Sequence, residues 1–286
     1  MMSVRQVGDL RPTLARTRGD GKSIGFVPTM GALHEGHLSL IREARRRDDF
    51  VVVSVYVNPM QFGPSEDLAR YPRDVERDAE LARSAGCDLF FCPRDEEIYP
   101  AGFSTNVEVG GLSALLEGAS RPGHFAGVAT VVLKLLNLVG PSRAYFGEKD
   151  AQQLAVVRKM VRDLDLPVEI VSRPTVREPD GLAMSSRNAY LSEPERALAR
   201  RIPEALEAAR AEIAGGERSP VVVREVVAAV LGRESGVRVE YIATVDPETF
   251  AHLPSLRGEV LVLIAARVGA TRLIDNVRVR VGEAAR

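Results

Sequence analysis

The 286-residue chain sets 38 Lys and Arg against 39 Asp and Glu, a formal charge of −1, with 45% hydrophobic and 27% charged residues. That balance excludes recruitment of nucleic acid by bulk charge and leaves any phosphate binding to a local site. No apolar run reaches the roughly 18 residues of a membrane span, so neither nucleic acid nor a membrane is an expected partner.

Residues 3–18 read as a short polar helix, with Gly19, Asp20 and Gly21 as the turn after it. No apolar export core is seen near Met1. Ile24, Phe26 and Val27 then extend as a strand that runs into Pro28, Thr29, Met30, Gly31, Ala32, Leu33, His34, Glu35, Gly36 and His37. Gly31 and Gly36 let backbone approach a ligand where a Cβ would block it. Leu38, Ile41 and Ala44 follow helical spacing, so a helix starts near Glu35. Its first N–H groups and positive dipole end suit a phosphate.

His34 and His37 are three apart, which on a helix leaves them about 60° from each other and able to face one ligand. Imidazoles so placed can donate to phosphoryl oxygens as charge moves onto a leaving pyrophosphate, an effect of roughly 3 kcal/mol per donor. Taken alone, the pair also fits two incidental surface histidines. A metal site is not expected, because zinc takes three or four protein ligands and no further ligand cluster accompanies this pair.

After Arg45, Arg46 and Arg47, read as a solvated helix end, residues 50–57 are a β-branched run suited to a strand buried on both faces of a parallel sheet. Asn58, Pro59, Met60, Gln61 and Phe62 follow it. Ligands of open α/β sheets lie beyond the carboxyl ends of strands, so Asn58 and Gln61 are placed to read a substrate, or simply to shape the turn around Pro59. A helix over 74–85, closed by Gly86, leads to a strand at 89–92. This strand–helix alternation predicts a doubly wound parallel sheet. Cys87 and Cys92, four residues between them, match neither a redox pair nor a disulfide framework, so reduced thiols in a cytoplasmic protein are expected.

Residues 121–127 read as a loop before an apolar helix carrying Val128, Val131, Val132, Leu135, Leu136 and Val139. A short strand at 144–146 delivers Gly147, Glu148, Lys149 and Asp150 to the same carboxyl edge. Lys149 can balance triphosphate charge and Gln153, one turn into the next helix, can reach the same cavity. Glu148 and Lys149 also fit an ordinary surface pair. A last strand at 168–171 precedes Pro174, Pro179, Asp180 and Gly181, a linker or long turn. Met184, Ser185, Ser186, Arg187 and Asn188 can grip phosphates or form a plain polar loop. Ser192 and Glu195 form a capping box that opens a helix to about 214. Another helix at 220–231 and three strands, 237–245, 259–267 and 271–281, complete a small α+β region. The expected domains are 1–180, Rossmann-like, and 181–286.

Taken together, the runs at 28–37, 58–62 and 121–125, with Phe146 to Asp150, Gln152, Gln153 and Met184 to Asn188, closely resemble the pantothenate synthetase family, in collinear order over nearly the whole chain. The two-histidine turn alone would indicate only the nucleotidyltransferase superfamily. That superfamily's second phosphate loop usually carries a lysine where this chain has Arg187, but the arginine form is the expected one within the synthetases. The resemblance implies a Rossmann-like nucleotidyltransferase fold and ATP-dependent condensation of (R)-pantoate with β-alanine, giving pantothenate, AMP and pyrophosphate through a pantoyl adenylate.

By the same resemblance, Met30, Gly31, Ala32, Leu33, His34, Glu35, Gly36 and His37 line the ATP site, with His34 and His37 stabilising the pentacovalent phosphorus. Lys149, Ser185, Ser186 and Arg187 hold phosphates, and Gly147, Glu148, Asp150, Val176 and Met184 lie at the nucleotide. Gln61, Gln153 and Asn58 serve pantoate. Mg²⁺ travels with ATP, and the protein is implied to be a cytoplasmic homodimer whose smaller domain covers the reactive adenylate. Arg121 and His124 receive no role. Two competing readings are an adenylyltransferase acting on a phosphorylated substrate, which would call for more Arg or Lys than Gln61 and Gln153 provide, and a non-catalytic nucleotide sensor.

Overall fold

Valine-rich segments flanked by helices produce the sheet that carries the candidate site. The computed structural model describes residues 1–64, 66–233 and 235–282. The first elements are β1 (Met2–Val4), α1 (Val7–Gly19), β2 (Ile24–Thr29), α2 (Glu35–Arg47), β3 (Phe50–Val55), α3 (Val75–Ser84) and β4 (Leu89–Phe91). Then come α4 (Asp95–Ile98), α5 (Glu117–Ser120), α6 (His124–Val139), β5 (Arg143–Gly147), α7 (Ala151–Asp163) and β6 (Glu169–Arg173).

The six strands form one parallel sheet in the order β1-β4-β3-β2-β5-β6. Val27, Val51, Val53, Val55, Phe90 and Tyr145 pack with Leu38, Ile41 and Ala44 of α2 and Ala82 of α3 on one face. The alternate positions Phe26, Val52, Leu89 and Ala144 are equally buried. Both faces are therefore covered, which is why β3 reads as a continuous apolar run rather than an alternating one. From β2 the chain winds outward to β3 and β4, whereas β5 and β6 lie on β2's other side. The strand order thus reverses between β2 and β5, and the carboxyl ends there open the crevice in which such sheets bind ligands.

The second group of elements is α8 (Glu193–Ala199), α9 (Arg201–Ala214), α10 (Pro220–Leu231), β7 (Val237–Val245), β8 (Glu259–Val268) and β9 (Thr271–Arg280). β7-β8-β9 is an antiparallel sheet. Val260, Val262, Ile264, Ala266 and Val268 of β8 pack with Ile202, Leu206, Ala209 and Ile213 of α9 and with Val223 and Val227 of α10. An antiparallel meander backed by helices on one face is the α+β arrangement expected for this region.

Several local details differ from the sequence reading. Ser3 and Val4, read as the start of the first helix, belong instead to the strand β1; with three residues it is too short to show a period. His124, expected in a loop, is the first residue of α6, because Gly123 at φ 82° makes the turn immediately before it. The single helix expected to reach 214 is divided at Arg200 into α8 and α9. Pro203 supplies the reason, since it has no N–H for the Ala199 carbonyl and its ring crowds that oxygen.

Contacts divide the chain into two units, Met1–Glu148 with Gln152–Pro174, and Lys149–Ala151 with residues from Thr175 onward. The sequence suggested a cut after residue 180. Pro174 stops β6, and residues 176–184 fold back on themselves through the Arg177–Ala183 bridge and a Met184 N–H to Val176 O bond of 2.9 Å. Of the two readings of this stretch, linker or long turn, the second fits: it is a built part of the second unit, tied to β9 by Arg177, which donates to both Asp275 carboxylate oxygens at 2.7 and 3.0 Å. Lys149 joins that unit as well, its carbonyl accepting from Asn276 of β9 at 2.9 Å.

Candidate active site

The turn leaving β2 is built from its backbone outward. Thr29 Oγ1 donates to Ser54 O at 2.8 Å and accepts the Gly31 N–H at 3.2 Å. Gly31 and Ala32 both have positive φ, 85° and 49°. A Cβ at Gly31 would stand 2.9 Å from Asp78 Oδ2 and from Val55 Cγ1, so only glycine fits. Asp78 of α3 is the anchor: its two carboxylate oxygens accept the Ala32 and Leu33 N–H groups at 2.9 and 2.7 Å. Burial lifts its carboxyl above the usual range, against these two bonds, which favour the anion.

Because both oxygens accept, Asp78→Asn would turn an NH₂ toward one of those N–H groups. A loss of about 1–3 kcal/mol, the cost of an unsatisfied buried donor, is expected in denaturant unfolding. An unchanged midpoint would show that the carboxylate does not hold the turn.

The helix start falls at Glu35 as expected, but His34 is not on the helix. It is the cap residue, in extended conformation at φ −137° and ψ 175°. The two imidazoles still meet, their ring centroids 4.1 Å apart. His34 N–H donates to His37 Nδ1 at 3.3 Å, so in the neutral ring the hydrogen of His37 sits on Nε2. A ring fixed in this tautomer at a helix start is a directed donor suited to an anion.

Beside this turn, at the carboxyl end of β3, a second cluster forms around Asn58 and Gln61, which are 1% and 7% exposed. Asn58 Nδ2 donates to Gln61 Oε1 at 3.0 Å and to Gly127 O at 3.1 Å, while its Oδ1 accepts from Met60 N at 3.3 Å and Tyr99 OH at 2.8 Å. Its amide is thus fully used within the protein. Gln61, its oxygen committed to Asn58, turns Nε2 toward the weak acceptor Met30 Sδ at 3.0 Å. Gly127 of α6 lies directly on this turn. A cavity of about 490 Å³ opens nearby, lined by Met30, Gly31, Tyr56, Pro59, Asp78 and Asp95 among others.

Gln152 and Gln153 separate into two roles. Gln152 is buried, accepting from Glu117 N and donating to Leu112 O and Leu115 O, which fastens residues 112–117 to α7. Gln153 is half-buried in the first turn of α7. Gly147 ends β5, and Glu148 accepts from Ser172 Oγ at 2.9 Å.

In the second unit, the fold-back of 176–184 sets Val176 against Met184 through the bond already described. Ser185 caps a single turn, Ser186–Tyr190, by accepting the Arg187 N–H at 3.3 Å. Buried Asn188 donates to Glu178 at 2.6 Å and Ala183 O at 3.1 Å, which fixes that turn on the fold-back. Lys149 lies 3.4 Å from Asp150. This unit therefore carries Lys149, Asp150, Val176, Met184, Ser185, Ser186 and Arg187 of the expected residues, and the other unit carries residues 30–37, Asn58, Gln61, Gly147, Glu148 and Gln153.

The family model for pantoate-beta-alanine ligase matches residues 2–278. The chain belongs to the pantoate–β-alanine ligase family. It is 52% identical over 283 residues to the pantothenate synthetase of Moorella thermoacetica, covering 99% of this chain and all of that one. Among solved structures, it is similar to the pantothenate synthetase of Thermus thermophilus at 52% identity and a TM-score of 0.93, over 97% of this chain and 99% of that one. It is also similar to the pantoate-beta-alanine ligase of Francisella tularensis, complexed with β,γ-ATP and β-alanine, at 34% identity and a TM-score of 0.79, over 97% of each chain. The chain is thus a ligase that joins pantoate to β-alanine, and the adenylyltransferase and sensor readings are set aside.

Sequence reasoning missed Asp78, Tyr99 and Gly127. Asp78 offered a signal, being an acidic residue on the face of α3 that also carries Ala82. Tyr99 and Gly127 offered none within their own segments.

Proposed function

We propose that this ligase works in two half-reactions, with the residues described above in the roles that follow. A pantoate carboxylate oxygen attacks the α-phosphorus of ATP, the bond from that phosphorus to the bridging β-oxygen breaks, and pyrophosphate leaves. The amine nitrogen of β-alanine then attacks the acyl carbon, the bond to the AMP oxygen breaks, and the amine's proton is released. Adenylation is needed because a free carboxylate would have to expel oxide.

The single observation that carries this reading is the fixed tautomer of His37, which presents Nε2–H at the start of α2. With His34 it stabilises the charge that builds on the phosphoryl oxygens and the departing pyrophosphate. Residues 30–37 line the nucleotide. Lys149, Ser185, Ser186 and Arg187 hold phosphates, and Gly147, Glu148, Asp150, Val176 and Met184 contact the rest of ATP. Gln61 and Gln153 bind pantoate, exchanging the thioether contact at Gln61 Nε2 for a stronger oxygen acceptor. Asn58 orients Gln61 rather than contacting substrate.

Mg²⁺ is proposed to arrive on ATP, held by phosphate oxygens and water as is usual for this ion. Among the described residues, no cluster of three or more His, Cys, Asp or Glu is placed to hold a metal. A cytoplasmic homodimer is proposed from the family resemblance, and sedimentation velocity would check the dimer. No helix among the described residues is long and apolar enough to cross a membrane, and burial pushes the Cys87 thiol up to about 12, keeping it protonated.

The test uses ATP and pantoate without β-alanine. Labelled pyrophosphate is expected to exchange into ATP only when pantoate is present, with AMP released once β-alanine is added. Absence of pantoate-dependent exchange would refute the adenylate route.

A further inference from the structure

Arg121 and His124 have no part in the scheme above, yet they form a chain, half-buried at Arg121 and buried at His124, that ends on the turn carrying Gln61. Arg121 donates to both oxygens of Glu66, from Nε at 2.7 Å and from Nη2 at 2.6 Å. Its Nη1 lies 3.0 Å from His124 Nε2, and His124 Nδ1 lies 2.8 Å from the Gln61 carbonyl oxygen. A guanidinium nitrogen has only hydrogens to offer and a carbonyl only lone pairs, so the tautomer is determined: Nε2 accepts from Arg121 and Nδ1–H donates to Gln61. His124 is 8% exposed.

We infer that His124 is a positioning residue for pantoate binding, holding the main chain of Gln61 so that its side-chain amide meets the substrate. This rests on the proposed role of Gln61. The turn is gripped at two points. Asn58, itself held by Tyr99, fixes the Gln61 amide oxygen, and His124, held by Arg121, fixes the Gln61 carbonyl at 2.8 Å, where Arg121 Nη2 adds a longer bond of 3.4 Å. With the main chain and the amide oxygen both restrained, the amide nitrogen has little freedom left, which is what preorganised recognition of a small hydroxy acid requires.

The charged groups facing His124 are Arg121, Glu66 and Glu117. Burial and the Arg121 charge push its pKa down to about 4, so the neutral tautomer persists throughout the neutral pH range.

The experiment compares steady-state kinetics of His124→Ala, His124→Asn, His124→Gln, Gln61→Ala and the double variant His124→Ala with Gln61→Ala, each checked for folding by thermal melting. An asparagine amide nitrogen falls near the place of Nδ1, whereas a glutamine amide reaches that of Nε2. His124→Ala is expected to raise the pantoate KM about tenfold, the scale of one lost hydrogen bond, with the ATP KM within about twofold. His124→Asn should restore most of the loss and His124→Gln little. In the Gln61→Ala background the His124 substitution should add nothing, because both act through one contact.

An equal rise in both KM values, His124→Asn no better than His124→Gln, or fully additive losses would overturn the inference. If His124→Ala fails to fold, the ranking of the two amide variants decides. Gln61→Ala with unchanged pantoate kinetics would overturn the role of Gln61 and this inference together. A pantoate defect in Gln61→Ala beside wild-type kinetics in His124→Ala would overturn this inference alone.

Discussion

Replacing His37 with alanine is expected to lower the rate of pantoyl adenylate formation by about 10²–10³, the loss typical when a single donor to developing negative charge is removed. His37 Nδ1 accepts the His34 N–H, so the ring's hydrogen is on Nε2, the atom that would donate to a phosphoryl oxygen. Its position in the first turn of α2 adds the dipole of that helix to the same charge. Two further variants separate donation from packing. His37→Asn, with a polar group only near the Nδ1 position, should be as slow as alanine, while His37→Gln, whose amide can donate from near Nε2, should recover part of the rate. Pantoate-dependent exchange of pyrophosphate into ATP reads the step directly, and thermal melting confirms the fold. Exchange near the wild-type rate in His37→Ala would remove the imidazole from the chemistry.

The second large effect is expected at Gly127. A Cβ there would stand 2.3 Å from Met60 O, 2.5 Å from Met60 C and 2.7 Å from Gln61 N. All three atoms are backbone, so no side chain can swing aside. Either α6 or the 59–61 turn must shift, at a cost of about 1–3 kcal/mol for overpacking. The shift also strains the Asn58 bond to Gly127 O, one of the two contacts made by Asn58 Nδ2. Gly127→Ala should therefore lower the melting temperature and raise the pantoate KM by more than the ATP KM. Wild-type values of both would mean that the close approach of α6 to the turn does not matter to function.

The legible parts of this protein were those whose signal is local. The valine run of β3, the capping box at Ser192 and the helical spacing after Glu35 each report their own conformation, because side-chain period and cap chemistry depend on residues within a turn or two. The parallel sheet followed from the alternation of such elements, and the small α+β region from helices followed by three strands, whose antiparallel pairing the structure supplied. Local rules also failed locally. The spacing of His34 and His37 suggested one helical stripe facing a ligand, whereas the rings lie 4.1 Å apart through a cap and an N–H bond. Pro203 broke a helix that the apolar period alone carried through.

From the amino-acid sequence alone came the family, the fold class and the chemical types of the candidate site residues, since each is written in contiguous motifs. Only the tertiary structure decided what holds those residues in place. Asp78 reaches the turn at Ala32 from 46 positions away, Tyr99 reaches Asn58 from 41, and His124 reaches Gln61 from 63. A hydrogen bond between distant segments leaves no period or spacing in the chain, so the support of a site becomes visible only when folding has brought its partners together.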